Sequence, residues 1–443
     1  MMSRRFFVSA ALALCGLTIT SGPAAQQVLP RDGLKAFVNA RIVDGTEIVD
    51  DGVILVNDGR VQTLGPSRRV RIPVGARRVD VDRRFVVPGF INAHGHVGDA
   101  QGLEPGTEEN TEPNVRRQLG VYADYGITTV VSLGDDGGQA PFAVRDSQNT
   151  VNLDHARLFV SSTVLNPKTI DEAKQQVAEH AARRVDIVKI RVDDNLGRTE
   201  KMPEPVFRAL IEEAHARKLR VAAHLYYLAD AKALIRAGLD VLAHSIRDLD
   251  VDDELLTLAS KSGVCLSPTL AREVSTFVYE TTPSFFSDPF FLRAVGRNVI
   301  EDLSKPERQA SVRASASAQQ YKVSLKTAMR NLKRMADAGV PIALGTDSGA
   351  AARFQGYFEH MEMDLMAEAG LSPVQILKAA TSDAAACMRV SNDLGSLAAG
   401  HWADFVVLES SPLERISNAR LINSVWIAGN RIARQANGSP SAD

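Results

Sequence analysis

Apolar and polar positions fall into two textures along this chain. From Leu34 to about Val87, short apolar stretches alternate with turn residues in KAFVNARIVDG, GVILVNDGRVQTLG and RRVDVDRRFVV. The same texture returns near the end in ADFVVLES (403–410) and LINSVWIAGNRIAR (421–434). Alternation interrupted by Asp-Gly and Asn-Asp-Gly predicts strands joined by hairpins. Neither block holds enough strands to close a compact sheet alone. The two are therefore expected to pair into one small β-sandwich domain, residues 34–87 with 395–435, leaving the middle of the chain as an insertion with neighbouring ends.

The middle, 88–394, alternates differently. Eight apolar strand candidates follow one another: RFVVPGFINA, GITTVVSLG, ARLFVSSTVL, DIVKIRV, RVAAHLY, DVLAHSI, GVCLSPTL and PIALGTD. Between most of them lie segments with apolar residues at three- and four-residue spacing, among them TIDEAKQQVAEHAARR, EPVFRALIEEAHARK, LADAKALIRAG and DDELLTLASKSG. That cadence predicts amphipathic helices between parallel strands, and eight such units predict an α/β fold of the (β/α)8 TIM-like barrel kind. One connection breaks the rhythm. About seventy residues separate GVCLSPTL from PIALGTD, including FVYETTPSFFSDPFF and a long helical pattern near 306–338. Such an insert is expected to act as a lid or specificity loop, its aromatics either lining a pocket or packing the insert onto the barrel.

Composition narrows the picture. With 443 residues, 51 basic against 53 acidic side chains and 45% hydrophobic residues, the chain is long enough for such a barrel and is not a disordered one. Near-neutral balance gives no reason to expect nucleic acid or an anionic membrane as partner. Residues 1–25 differ from the rest: SRRFFV, then an apolar run to about Thr20, then small residues at Ala24 and Ala25. A basic start, a short apolar core and a small-residue cleavage site predict a signal peptide, and SRRFFV resembles a twin-arginine export signal. The mature protein is then expected in the periplasm or outside the cell, without stable membrane insertion, because the apolar run is short of the roughly 20 residues of a spanning helix. After removal of the signal only Cys265 and Cys387 remain. Two cysteines make no disulfide framework, and both are expected as small buried apolar side chains.

Candidate chemistry sits where the barrel strands end, the side on which such barrels carry their sites. The first strand ends in His94 and His96, one residue apart and so on one side of a strand. The fourth carries Lys189, the fifth ends in His224, the sixth in His244 and the eighth in Asp347. Imidazoles with a carboxylate suit zinc or a similar divalent ion. Lys189 does not, since an ammonium with a pKa of about 10.4 repels cations. Carboxylation by carbon dioxide would convert it into a carbamate able to bridge two metals.

On PGFINAHGH, VKI around Lys189, AAHLYY, LAHS, LGTDSG and LGSLAAGHWADFVVL, the chain resembles the metal-dependent hydrolases of the amidohydrolase superfamily, in the imidazolonepropionase-related and dipeptidase-like branch. The resemblance implies that His94 and His96 hold the more buried metal. It implies that His224 and His244 hold a second, that N6-carboxylated Lys189 bridges them, and that Asp347 touches the first metal and shuttles the proton. Two divalent ions, zinc by preference, would then activate water for attack on a small-molecule amide, peptide or cyclic amide. Tyr226 matches a tyrosine that orients substrate in dipeptidase-like relatives. Arg191, Asp193, Asp194, Tyr227 and Arg247 lie near strand ends as candidates for a substrate carboxylate or amine. Two family features are missing: SSTVLNPKTI lacks the histidine of dipeptidases, and RVDDNLGR lacks their glycine pair. His155, His180, His215, His360 and His401 have no comparable placement, and Asp404 in the late motif reads as a turn residue. A lactonase on the same centre and a silent binding scaffold stand as alternatives; homo-oligomerisation is left open.

Overall fold

The computed structural model describes residues 33–433 except 46, 99, 107–109 and 135; the expected signal peptide at 1–25 lies outside them. In chain order the first strands are β1 (Lys35–Asp44), β2 (Glu47–Asn57), β3 (Arg60–Pro66), β4 (Arg77–Asp80) and β5 (Phe85–Pro88). The Asn-Asp-Gly signal is a two-residue hairpin. Asn57 pairs with Arg60, while Asp58 and Gly59 both take positive φ (49° and 76°), the geometry of a turn that matches strand twist.

Next come β6 (Phe90–Gly95), a small hairpin of β7 (Ala100–Gln101) and β8 (Glu104–Pro105), β9 (Ile127–Ser132) and β10 (Arg157–Val160). They are followed by β11 (Val188–Arg191), β12 (Val221–His224), β13 (Val241–Ala243) and β14 (Cys265–Ser267). The chain closes with β15 (Phe405–Leu408), β16 (Ile422–Ile427) and β17 (Asn430–Arg431).

The two chain ends meet in one sheet of order β17-β16-β15-β5-β1-β2-β3, with β4 on β1. The joining pair is antiparallel β5 and β15, from Phe85 opposite Leu408 to Pro88 opposite Phe405. Phe37 from the first block packs edge-on against Phe405 and Trp426 from the last, at centroid distances of 4.9 and 4.8 Å.

Two parallel sheets carry the middle of the chain: β10-β9-β6 and β11-β12-β13-β14. The β6 and β9 side chains are buried throughout, which is why these strands read as apolar runs rather than alternating ones. Helices Ile170–Ala182, Glu204–Ala216, Leu228–Arg236 and Asp253–Ser262 stand where the helical spacing predicts them. Thr169 and Asp252 cap two of them through backbone N–H groups three residues on, and Gly263 ends the last in left-handed geometry.

The eighth predicted strand differs from expectation. Residues 341–348 form no regular ladder, yet they are hydrogen-bonded on both sides. Ala343 N–H donates to Leu266 of β14 (2.9 Å), and Ala93 N–H of β6 donates to Leu344 (2.7 Å). The gap between the two sheets is crossed likewise, by Leu165 N–H to Lys189 (2.8 Å) and Arg191 N–H to Leu165 (3.1 Å).

The seventy-residue insert holds three short 3-10 turns between 278 and 293, then helices Arg297–Leu303, Pro306–Ala314 and Ala316–Asp337. The long helical pattern is thus two helices, broken at Ser315, whose hydroxyl caps the second. Phe285, Phe286 and Phe291 pack on one another and on Tyr357 of helix Tyr357–Glu368, so these aromatics fasten the insert to the body.

One expectation is corrected. Cys265 and Cys387 are not separate thiols: they form a disulfide with Cα atoms 6.0 Å apart and 122 residues between them in sequence. Their burial was legible, but the bond was not. A strand and a helix distant in sequence meet at this point only once the fold is complete.

Candidate metal centre

β6 ends at Gly95, yet His94 and His96 still turn toward one place. Both Nε2 atoms reach the same oxygen of Asp347, at 3.2 Å from His94 and 2.7 Å from His96. His96 Nδ1 donates to the Gly134 carbonyl (3.0 Å), so its Nε2 keeps a lone pair. His244 stands across the cluster, its ring 4.7 Å from that of His94 and 4.2 Å from that of His224. Nδ1 of His244 is paired with the Thr269 hydroxyl at 2.7 Å, and His224 Nε2 meets Asp193 at 3.0 Å. Lys189 Nζ lies 3.1 Å from His94 Nε2. The structure therefore brings His94, His96, Lys189, His224, His244 and Asp347 together, as the strand-end pattern predicts. Ligand atoms of His94, His244 and Asp347 lie within 4.8 Å of one another.

Backbone geometry at this rim is unusual. His244 (φ 132°), Thr269 (54°) and Asp347 (59°) are non-glycine residues at positive φ, which costs about 1–3 kcal/mol each and clusters at functional sites. Two glycines of LGTDSG let the chain pass. A Cβ on Gly345 would stand 2.0 Å from Ser267 Oγ and 2.7 Å from His94 Cβ; one on Gly349 would stand 2.2 Å from the His96 carbonyl oxygen.

Burial and neighbours fix the charge states. Burial, helped by the Lys189 charge, lowers His94 to about 3. Burial also lowers His224 to about 3 against the pull of Asp193, and takes His244 well below the usual imidazole range. Burial alone would raise Asp347. The Arg353 guanidinium, followed by the adjoining His94 and His96 rings, outweighs it and holds the carboxyl well below the usual range. At neutral pH the cluster thus offers neutral imidazoles and an ionised carboxylate, the donor states a divalent cation requires. His94 Nδ1 is buried without a hydrogen-bond partner. This chemistry fits a metal.

A layer of buried polar groups supports the cluster, and sequence reasoning missed it. Asn92 accepts the His94 N–H (2.9 Å) and donates to Glu359 (2.6 Å). The same Glu359 oxygen accepts from Thr346 (2.8 Å) and Ser348 (2.5 Å), the residues flanking Asp347. One turn further along that helix, Glu362 accepts the N–H groups of Leu270 and Ala271 (2.8 and 2.6 Å), fixing the corner that carries Thr269. Two acidic residues three apart on a buried helix face were the available signal.

The cluster opens into a cavity of about 360 Å3 walled by His96, Lys189, Arg191, His224, His244, Arg272, Asp347 and Arg353, among others. Tyr226 is not in that wall. Its hydroxyl is hydrogen-bonded to Ser324 (2.5 Å), and its ring lies under the Arg247 guanidinium. Tyr227 donates to Asp194 (2.8 Å). The insert aromatics also stand outside this wall. Of the other histidines, His360 is buried against the Tyr125 carbonyl, His155 against Ala156, and His180 against Gln176 and Thr163. His215 pairs with Asp240 and His401 with Ser396. Asp404, directly before β15, is an ion-pair partner of Arg157 of β10 (2.6 Å) and accepts the Ala428 N–H, a structural post between the terminal sheet and the β10-β9-β6 sheet.

Comparison with known proteins gives three results. Residues 85–432 match the model of the amidohydrolase family. A Mycobacterium tuberculosis protein of uncharacterised role is 26% identical over 220 residues, 48% of this chain and 56% of that protein. Aspergillus niger ochratoxinase is 27% identical over 272 residues, 59% of this chain and 49% of that enzyme. The chain thus spans about half the length of these curated relatives. In three dimensions it is similar to a candidate prolidase from Bifidobacterium longum, with a TM-score of 0.75, 24% identity, and coverage of 93% of this chain and 97% of that one. This last likeness is one of fold.

Proposed function

The chain belongs to the amidohydrolase family, and from that premise we propose that it is an exported, binuclear, metal-dependent hydrolase. Its substrate is a small molecule with an amide, peptide or cyclic amide C–N bond. The observation that carries this is the gathering of four imidazoles, Lys189 and Asp347 in one cluster that opens into a cavity, with ligand atoms of His94, His244 and Asp347 inside 4.8 Å. The fold is read as a (β/α)8 barrel at 88–394 with a small β-sandwich from 34–87 and 395–435. Supporting this are the hydrogen bonds that residues 341–348 make to both β6 and β14, and the pairing of β5 with β15.

His94 and His96 would hold one divalent ion and His224 and His244 a second, with Lys189 bridging as an N6-carbamate. When bound, such ions, zinc by preference for this nitrogen-rich set, polarise a carbonyl and bring the pKa of water down to about 7. The chain's own residues do the rest. Asp347, ionised between the imidazoles and Arg353, is placed to take a proton from water and deliver it to the departing nitrogen, which leaves poorly as an anion. Glu359 accepts from Asn92 and from the hydroxyls of Thr346 and Ser348, the residues on either side of Asp347. The resemblance gives Tyr226 a substrate-orienting role, and its ring lies under the Arg247 guanidinium.

Export draws support from two independent features: the SRRFFV-led segment and the Cys265–Cys387 disulfide, a bond that persists in oxidising compartments. The test of the function is direct. Purified protein should hold up to about two divalent ions per chain and release amine from N-acyl amino acids, dipeptides or cyclic amides. Turnover confined to lactones would replace the C–N assignment, and protein that binds no metal would replace the hydrolase with a silent scaffold.

A further inference from the structure

We propose that the cavity selects substrates whose leaving amine carries a carboxylate, and that Arg272 and Arg353 read it; this rests on the hydrolase reading above. Three guanidiniums, those of Arg191, Arg272 and Arg353, face the cavity, against Asp347 as the one carboxylate among the described wall residues. The imbalance continues behind the wall. Arg247, fully buried, and Arg272 share a single carboxylate: Arg247 Nε lies 3.0 Å from Glu273 and Arg272 Nη1 3.2 Å from it. Asp193 also bears on Arg247 and Asp347 on Arg272, so four guanidiniums, those of Arg191, Arg247, Arg272 and Arg353, stand among the three buried carboxylates of Asp193, Glu273 and Asp347, and the excess charge is positive.

The remaining donors are incompletely used. Arg272 Nε and Arg247 Nη2 are buried with no hydrogen-bond partner. Arg272 is otherwise held by the Tyr321 ring 4.5 Å beneath it and by the Tyr321 hydroxyl at 3.4 Å. The nearest further carboxylate oxygen is Oδ2 of Asp347, 3.8 Å from Arg272 Nε, too far for a hydrogen bond. That oxygen is already engaged by Arg353.

Position then names the ligand. Oδ1 of Asp347 faces the imidazoles, while Oδ2 lies between the two guanidiniums. Asp347 is the group assigned to protonate the departing nitrogen. An anion seated by Arg272 and Arg353 is therefore attached to that nitrogen's side of the bond. An α-carboxylate on the leaving amine, as in an N-acyl amino acid or the C-terminal residue of a dipeptide, meets this requirement, and a planar guanidinium pair suits its two oxygens. A neutral cyclic amide does not.

Matched pairs test it: N-acetyl-leucine, N-acetyl-phenylalanine and N-acetyl-proline, each against its carboxamide, assayed for amine release by metal-loaded enzyme. The free acid should be preferred by at least about 30-fold in kcat/KM, and Arg272→Met should bring the ratio near one. That variant leaves Arg247 and Glu273 as a balanced pair, so its melting temperature should stay close to wild type; Arg353→Met gives a second route should it fail to fold. Calorimetric titration with leucine and leucinamide reads the same preference without turnover. Hydrolysis of acids and amides at equal rates would overturn the carboxylate subsite and leave the hydrolase standing. Arg272-dependent binding of leucine over leucinamide, with no C–N bond cleaved, would support the subsite and overturn the hydrolase.

Discussion

The two halves of the histidine cluster are held by different means. His94, His96 and Asp347 sit on the seam between β6 and residues 341–348, where one glutamate oxygen, on Glu359, gathers Asn92, Thr346 and Ser348. His224 and His244 have separate supports, Asp193 with Arg191 for the first and Thr269 for the second. A shared anchor concentrates vulnerability; separate anchors distribute it. Where one buried group satisfies three donors, its loss leaves several polar atoms unpaired at once.

The largest effect should come from the seam residue that both orients and reacts. Asp347→Asn is expected to lower kcat by about 1000-fold, within the range of acid–base catalysis, while the protein still folds; steady-state assays with circular dichroism check both halves of that statement. Next, Lys189→Ala should lower bound metal from about two ions per chain to one or none, read by elemental analysis; full occupancy in that variant would remove the bridging role. The comparison itself is sharpened by pairing Glu359→Gln with Thr269→Val. The first should weaken metal binding by about 100-fold and the second by about 10-fold, since one disturbs three supports and the other a single imidazole. Equal losses would mean that the seam is no more fragile than the other half.

The smallest effect is a slope. Glu362 is buried, and burial raises its carboxyl to about 8 despite two backbone N–H donors. A carboxyl whose folded value lies above its ordinary one contributes stability that is complete below about 4.5 and is lost as pH rises through about 8. Melting temperature of the wild type should therefore fall between those limits more than that of Glu362→Gln. Parallel melting curves across the range would show that Glu362 carries no such burden.

What could be seen in the sequence was the part written in strand ends. His94, Lys189 and His224 belong to β6, β11 and β12, and His244 directly follows β13, so period and polarity located them. Tyr226, named on the resemblance alone, lies beyond the reach of that logic. β12 ends at His224, alternation no longer governs two residues later, and the ring turns beneath Arg247 instead of toward the cavity. The eighth unit was legible as a strand but is irregular, because Asp347 takes positive φ and Gly345 passes within contact of His94. Glu359 and Glu362 were hidden for another reason. Acidic residues on a helix read as solvated until the helix is known to bury that face.

The Cys265–Cys387 bond has a practical corollary. It encloses the stretch that carries Arg272, the whole insert, Asp347 and both supporting glutamates. A protease that nicks the insert at an exposed position such as Val323 would not release either piece. Such clipped protein should run as one band on an unreduced gel and as two after dithiothreitol, so intactness of the active portion can be judged only once the thiols are freed.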